Sequence, residues 1–241
     1  MRLLLILLYL GICLVCEAQL QTLDAASSTV GSGGYVRFNN YAELGQKNAD
    51  KLDYSEIRGS CFWDSEWNPA ILILKSGKGI KLHQVKLNFK TNDVHYIDNK
   101  GTELVAQSGI QKILFFDRND TTKLKAVFQS LAGFKIKDVD VFAELLAEGK
   151  TEFLKRTEVT LIKKDNDPML GRPDLRFVSE VHYYITENGS VSRLKSINKA
   201  NLFVILKPTN DDETWLKTNK VKLKNEADVI AFLAHRNSNN K

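Results

Sequence analysis

Residues 59–67 hold a dense group of aromatic and acidic side chains, in the order Gly-Ser-Cys-Phe-Trp-Asp-Ser-Glu-Trp. Aromatic rings offer flat apolar faces for stacking, and carboxylates beside them accept hydrogen bonds. On this interpretation Trp63 and Trp67 stack on a bound sugar or peptide, and Asp64 and Glu66 orient it. These four residues are the candidate binding residues of the chain.

The same aromatic rings also suit a purely structural role as core anchors. In a strand, alternate side chains point to the same side, so Cys61, Trp63 and Trp67 would share one face and the acids the other. Cysteine is a residue type that is usually buried. The alternation therefore favours a buried position for both tryptophans over an exposed binding surface.

The sequence contains no recognisable catalytic or metal-binding motif. It has four histidines, none at the short spacing of a zinc site, and it lacks a nucleophile elbow, a phosphate-binding loop and a dinucleotide fingerprint. We therefore expect no cofactor and no metal, and a non-catalytic binding or structural module. Because paired carboxylates need not be neighbours in sequence, the alternative is an exported hydrolase whose carboxylate site forms only in the fold.

The N-terminus predicts export. Arg2 precedes an apolar run over residues 3–15, and residues 16–18 (Cys-Glu-Ala) provide a cleavage pattern just before Gln19. That run is too short to cross a hydrocarbon core of about 30 Å as a helix, and no later segment is long and apolar enough to do so. We expect a mature protein in the periplasm or outside the cell.

Charge and cysteine content limit the partners of the chain. The net charge is +5, with lysines spread along the whole sequence, so the concentrated basic stripe of a nucleic-acid binder is missing and no nucleic-acid partner is expected. A surplus of this size favours only weak contact with the anionic surfaces of the envelope. After cleavage Cys61 is the one remaining cysteine, so the mature chain depends on its core and has no internal disulfide.

Apolar and polar residues alternate over residues 70–116, which predicts consecutive antiparallel strands. The apolar phase changes at His83 and Gln84, where the strand must bulge to keep one face buried. Three further strands are predicted at residues 126–133, 139–146 and 153–162. The second of them, residues 139–146, also fits a short helix.

The clearest predicted hairpin turns at Asn188-Gly189, a type I′ pair, with His182 and Tyr184 on its polar face. After Leu194 the apolar period lengthens to that of helices. The apolar face of the hairpin is predicted to hold Phe177, Val181, Tyr183 and Ile185, and the predicted helix N-caps are Ser196, Thr209 or Asn210, and Asn225.

These patterns predict an α+β fold that is mainly β. The body is an antiparallel β meander, barrel-like or a sandwich, and a helical C-terminal segment packs on it. The predicted boundaries are a signal peptide at 1–18, a flexible leader at 19–34, a β-rich body at 35–195, a helical segment at 196–236 and a frayed tail at 237–241.

Residues 59–67 begin a longer series of motifs that continues with residues 85–89 (Val-Lys-Leu-Asn-Phe) and 91–96 (Thr-Asn-Asp-Val-His-Tyr). This series resembles a set of exported Bacteroidetes proteins with no assigned function. The resemblance extends loosely to residue 233, and Gln19 after the predicted cleavage site suits the same group. It implies a cell-envelope setting in a Gram-negative bacterium, and it supplies no catalytic residues.

Overall fold

The computed structural model describes residues 36–38, 44, 47–48, 57–131, 141–164 and 174–239. The predicted signal peptide (1–18) and flexible leader (19–34) lie outside these residues. The described part contains twelve strands and three helices. The strands are β1 (Val36–Phe38), β2 (Lys47–Asn48), β3 (Asn68–Leu74), β4 (Gly79–Leu87), β5 (Val94–Ile97), β6 (Glu103–Val105), β7 (Ile110–Phe116), β8 (Leu124–Ser130), β9 (Phe142–Ala147), β10 (Thr151–Lys164), β11 (Asp174–Glu187) and β12 (Ser190–Leu194). The helices are α1 (Lys199–Leu206), α2 (Asn210–Thr218) and α3 (Glu226–Asn239).

The strands form one sheet in the order β12-β11-β10-β9-β8-β7-β3-β4-β5-β6-β2, and β1 pairs with β4. Only the β1–β4 pairing is parallel among the described strands. The prediction of a mainly β, antiparallel fold is therefore confirmed. The sheet is open and does not close into a barrel, and β3 separates β4 from β7, so the strands do not follow strict chain order.

The predicted bulge in β4 is confirmed. His83 and Gln84 are both exposed, between buried Leu82 and buried Val85, and the register of β3 against β4 shifts at this point. The extra residue lets the apolar positions on both sides of the bulge face the same core, although their sequence phase differs.

Strands β10 and β11 form the longest pair of the sheet, with fourteen residues each in an uninterrupted register. The predicted type I′ turn joins β11 to β12, where Asn188 and Gly189 have φ values of 50° and 77°. The strand predicted at 139–146 is present as β9, not as a helix. We name residues 151–156 and 182–187 the base of the β10–β11 hairpin, and residues 157–164 and 174–181 its arm.

Side-chain caps start all three helices. Thr209 accepts a hydrogen bond from the backbone N–H of Asp212, whose carboxylate accepts one from the N–H of Thr209, which gives α2 a full capping box. Asn225 accepts a hydrogen bond from the backbone N–H of Asp228 at the start of α3. Both caps were predicted from the sequence. Helix α3 also runs into the segment predicted as a tail, where Asn237 Oδ1 accepts a hydrogen bond from the backbone N–H of Thr151 at 3.0 Å.

The predicted cap of the first helix is wrong by two residues. Asn198 caps α1, because its Oδ1 accepts a hydrogen bond from the backbone N–H of Asn201 at 2.8 Å. The hydroxyl of Ser196 instead accepts hydrogen bonds from the side-chain amides of Asn198 and Asn201. Asparagine is at least as good an N-cap as serine, so two capping residues two positions apart compete and the local pattern does not decide between them.

The two largest apolar clusters cover different parts of the sheet. The sheet core lies over strands β3 to β8 and is joined by Val159 of the arm. The helix core lies between helices α1 to α3 and the base of the hairpin, where it includes Phe153 and Ile185. The sheet core includes Leu72, Ile80, Leu82, Val85, Tyr96, Ile113, Phe115 and Phe128, and the helix core includes Leu202, Leu206, Leu216, Leu223, Val229, Phe232 and Leu233.

The opposite side of the hairpin base is also apolar. Leu154 and Tyr184 are buried there with Leu131, Val141 and Ala143. The assignment of Tyr184 to a polar face is therefore wrong. Strand alternation separates the side chains of neighbouring residues, but it does not predict that both sides of a strand are covered.

Candidate functional site

Trp63 is held at the margin of the sheet core. Its ring stacks on Phe115 with centroids 4.6 Å apart, and its edge meets Phe128 at 5.3 Å. Lys125 Nζ lies 5.2 Å from the Trp63 ring centroid. The indole is half-buried and engaged by protein groups, which is the geometry of a core anchor.

Trp67 occupies a different environment. Lys86 Nζ lies 4.9 Å from the Trp67 ring centroid and 5.2 Å from that of Phe62. Lys86 therefore contacts both rings, although the predicted alternation places Trp67 and Phe62 on opposite sides. The alternation is wrong because residues 57–67 form only isolated bridges, at Arg58 and Phe62, and not a continuous strand.

The two candidate acids form ion pairs with the β7–β8 region. Asp64 Oδ2 lies 2.5 Å from Lys125 Nζ and accepts a hydrogen bond from Asn68 Nδ2 at 3.0 Å. Burial raises the pKa of Asp64, but the hydrogen bonds from Lys125, the Glu66 backbone N–H and Asn68 outweigh it and lower the pKa to about 2. Glu66 pairs with Arg118 at 2.8 Å, and both side chains are about half exposed, so the pair contributes little stability.

A second polar cluster, which we call the polar row, crosses strands β9, β10 and β11. Lys155 of β10 lies opposite Glu144 of β9 and Tyr183 of β11. Glu226, the first residue of α3, is the fourth member of the row. Its Oε1 accepts a hydrogen bond from Tyr183 Oη at 2.6 Å and lies 3.0 Å from Lys155 Nζ. The row separates the sheet core from the helix core, since Phe128 lies opposite Glu144 on the next strand.

The pKa values of the polar row shift in opposite directions. Burial raises the pKa of Glu144, and this effect and the charge of Glu226 outweigh the attraction of Lys155. Burial also raises the pKa of Glu226, but hydrogen bonds from Tyr183 and Lys155 outweigh it, so the net shift is downward. Burial and the hydrogen bond to Glu226 raise the pKa of Tyr183 to about 12. Two carboxyls shifted apart in this way can act as a proton donor and a proton acceptor.

Sequence reasoning missed the polar row. Its members come from three strands and a helix, and no motif joins them. The one local signal is Glu226 in the first turn of α3, where the helix dipole favours an acid.

His95 and Glu103 form a separate pair, with His95 Nδ1 2.7 Å from Glu103 Oε1. His95 is buried, and no described residue bonds its Nε2. Cys61, which is buried as predicted, belongs to the sheet core with Val94 and Tyr96. His95 lies between those two residues on β5 and so points to the other side of the sheet. The thiol and the imidazole therefore form no catalytic dyad.

A small cavity of ≈ 190 Å³ lies between residues 91–94 and residues 106–110, with Phe142 on its wall. Ligand pockets are usually larger, about 300–1,000 Å³. The cavity contains none of the candidate binding residues.

The arm of the hairpin exposes an edge of the sheet. Val178 and Val181 point to opposite faces of β11 and are 44% and 41% exposed. Strand β12 pairs only with residues 183–187 of β11, and Arg58 bridges to Arg176. Residues 178–182 lie between these two partners, and we name them the β11 edge.

Within the described residues, no group of three histidine, cysteine or acidic side chains could hold a metal ion, and no helix has the length and apolar character to cross a membrane. No family model, curated protein or solved structure matches the chain.

Proposed function

We propose that the chain is an exported, non-catalytic binding module of the cell envelope, and that the β11 edge is its contact surface. The N-terminal sequence supports export to the periplasm or the cell exterior. The observation that carries the binding role is the exposed edge itself, with apolar side chains on both of its faces.

An exposed sheet edge is a binding surface because its backbone groups can pair with another chain. Proteins usually protect such edges with lysine, proline, bulges or covering segments. The β11 edge reads Val-Ser-Glu-Val-His, with neither lysine nor proline, and the register through it has no bulge. Among the described residues, the edge therefore has no lysine, proline or bulge that would hinder pairing, and Glu180 is its one acidic side chain.

Photo-crosslinking in producing cells tests the role of the β11 edge. Val181 is replaced in the full-length chain by a photoreactive phenylalanine derivative, and cells are irradiated before envelope proteins are separated. We expect a discrete higher-mass adduct of the chain. Val204 of α1, which is 78% exposed, is the matched control and should give none. Adducts from both positions, or from neither, would contradict the proposal.

The alternative function is an exported hydrolase that uses the polar row. The specific observation in its favour is the opposite shift of the two carboxyls, which suits Glu144 as general acid and Glu226 as base or nucleophile. The contacts of Glu226 with Tyr183 and Lys155 equally suit a docking site for α3 on the sheet.

A panel of chromogenic aryl glycosides separates the alternative function from simple helix docking. A hydrolase would release the aryl group, and Glu144→Gln and Glu226→Gln would each lower the rate by about 100-fold or more. Glu148→Gln, at an exposed side chain on the same region of the sheet, is the control and should keep the wild-type rate. Lack of turnover of every glycoside would count against the hydrolase.

A further inference from the structure

We infer that the β11 edge binds an extended segment of a different protein that carries a basic side chain opposite Glu180, and not a second copy of this chain. This inference rests on the proposed function and specifies the partner of the same surface. It follows from the direction of the backbone groups, the space along the edge and the charge beside it.

The backbone groups of the edge point away from β10. Phe177 N–H donates to the Arg58 carbonyl at 2.9 Å, and the Leu175 carbonyl accepts from Arg58 N–H at 3.0 Å. Because successive residues of a strand alternate their bonding side, and the register is continuous, Ser179 and Val181 also direct their N–H and C=O groups outward. No described residue pairs with these four groups.

The edge has two defined ends. At one end Gly59 follows Arg58 with a φ of +87°, a conformation that glycine adopts readily and that ends the single bridge made by residue 58. At the other end β12 stops at Leu194, opposite Tyr183. The distance from Phe177 to Tyr183 along a strand is about 20 Å, which is enough for a short added strand.

The charge beside the edge is negative. The Glu180 side chain is 75% exposed, and His182 Nε2 lies 3.6 Å from its Oε1. Glu158, opposite Glu180 on β10, is paired with Arg156 at 3.0 Å. Arg193 Nη2 lies 2.7 Å from His182 Nδ1, so this guanidinium is directed at the imidazole and not at Glu180. Among the described residues, Glu180 therefore forms no ion pair with a lysine or an arginine.

A second copy of the chain is a poor partner for this edge. Antiparallel pairing about a two-fold axis that uses the outward groups of Ser179 and Val181 brings Glu180 directly opposite Glu180 of the other copy. Like charges in directly opposed positions destabilise a strand pair, whereas opposite charges stabilise it. A strand with lysine or arginine at that position satisfies both the backbone and the charge.

The test compares two synthetic peptides with the full-length protein. Both alternate valine and threonine, and they differ only at the central residue, which is lysine in one and glutamate in the other. Nuclear magnetic resonance titration follows the amide signals of Ser179 and Val181. We expect the lysine peptide to bind about fivefold more tightly. In Glu180→Lys the preference should reverse, and Val181→Pro, which removes an outward N–H, should lose binding while keeping the wild-type circular dichroism.

Several outcomes would overturn the inference: equal affinity for the two peptides, an unchanged preference in Glu180→Lys, no binding of either peptide, or a wild-type dimer in sedimentation that Val181→Pro abolishes. If Val181 crosslinks to a partner but one of these results is obtained, the β11 edge is still a binding surface. Only the inference that its partner is a segment with a basic side chain is then rejected. Lack of a crosslink would instead reject the binding role itself.

Discussion

The base and the arm of the β10–β11 hairpin belong to the same two strands and the same register, yet their surroundings differ. In the base, Phe153 and Leu154 point to opposite sides and are both fully buried. In the arm, Val178 and Val181 also point to opposite sides, and both are more than 40% exposed. Strand pairing alone therefore does not determine burial.

The difference comes from what covers each half. Helices α1 to α3 cover one side of the base, and the cluster around Leu131 and Val141 covers the other. Among the described residues, the arm reaches the sheet core through Val159 and Phe177, which lie on the same side of it. Since most stability comes from buried apolar area, we expect the base to hold the hairpin and the arm to remain free to exchange contacts.

The largest effect should come from the centre of the base. Phe153→Ala removes a fully buried ring from the helix core and should lower the free energy of unfolding by about 3–5 kcal/mol. Phe177→Ala removes the same ring from a half-buried position in the arm and should cost less than half as much. Urea denaturation followed by circular dichroism measures both, and equal costs would refute the contrast between base and arm.

Arg236 of α3 tests how the helices are fixed to the base. Its Nη1 lies 2.8 Å from Asp212 Oδ2, and its Nη2 donates to the Leu206 carbonyl at 2.8 Å and lies 3.3 Å from Glu187 Oε1. Asp212 is only 5% exposed. Arg236→Met leaves that carboxylate buried without its cation and should cost about 3 kcal/mol.

The matched control for Arg236→Met is Arg118→Met, which removes a cation from an exposed ion pair. It should change the free energy of unfolding by less than about 0.5 kcal/mol. Denaturant titration of both variants gives the comparison. Similar losses in the two variants would show that the Asp212 contact does not depend on burial.

The features that could be predicted from the sequence depend on short-range chemistry. The bulge at His83 and Gln84 follows from a change of apolar phase, and the turn at Asn188 and Gly189 follows from the backbone conformations that these residues tolerate. The cap at Asn225 is equally local. In each case the residues that cause the structure are neighbours in the chain.

The features that escaped prediction depend on distant partners. The contrast in burial between the base and the arm arises from helices more than ten residues further along the chain. The position of β3 between β4 and β7 depends on how distant strands pair. The polar row joins Glu144 to Glu226 only because α3 begins over β10 and β11. Periodicity cannot show which strand face another element will cover.

The pH dependence of stability tests the polar row. The pKa of Tyr183 is raised from 10.0 to about 12 in the folded state, so its contribution is complete below pH 10 and is lost as the pH rises through 12. Tyr183→Phe lacks this ionisation. The stability advantage of wild type over Tyr183→Phe, about 1 kcal/mol at neutral pH after allowing for solvent screening, should therefore shrink above pH 10.

Denaturation of wild type and Tyr183→Phe in parallel, at neutral pH and near pH 11, measures this change. Other groups that titrate in the same range cancel in the difference between the two proteins. A constant difference across the pH range would show that the Tyr183 hydroxyl does not stabilise the folded state through Glu226.

The smallest effect should come from the β11 edge. Val181→Ser exchanges an apolar side chain that is 41% exposed and should change the free energy of unfolding by less than about 0.5 kcal/mol. Val159→Ser, in the same arm, places a hydroxyl in the sheet core and should cost about 1–3 kcal/mol. Thermal denaturation ranks the two variants. If Val181→Ser were the more damaging, the edge would be a structural element of the folded chain, and its exposed valines could not be explained by contact with a partner.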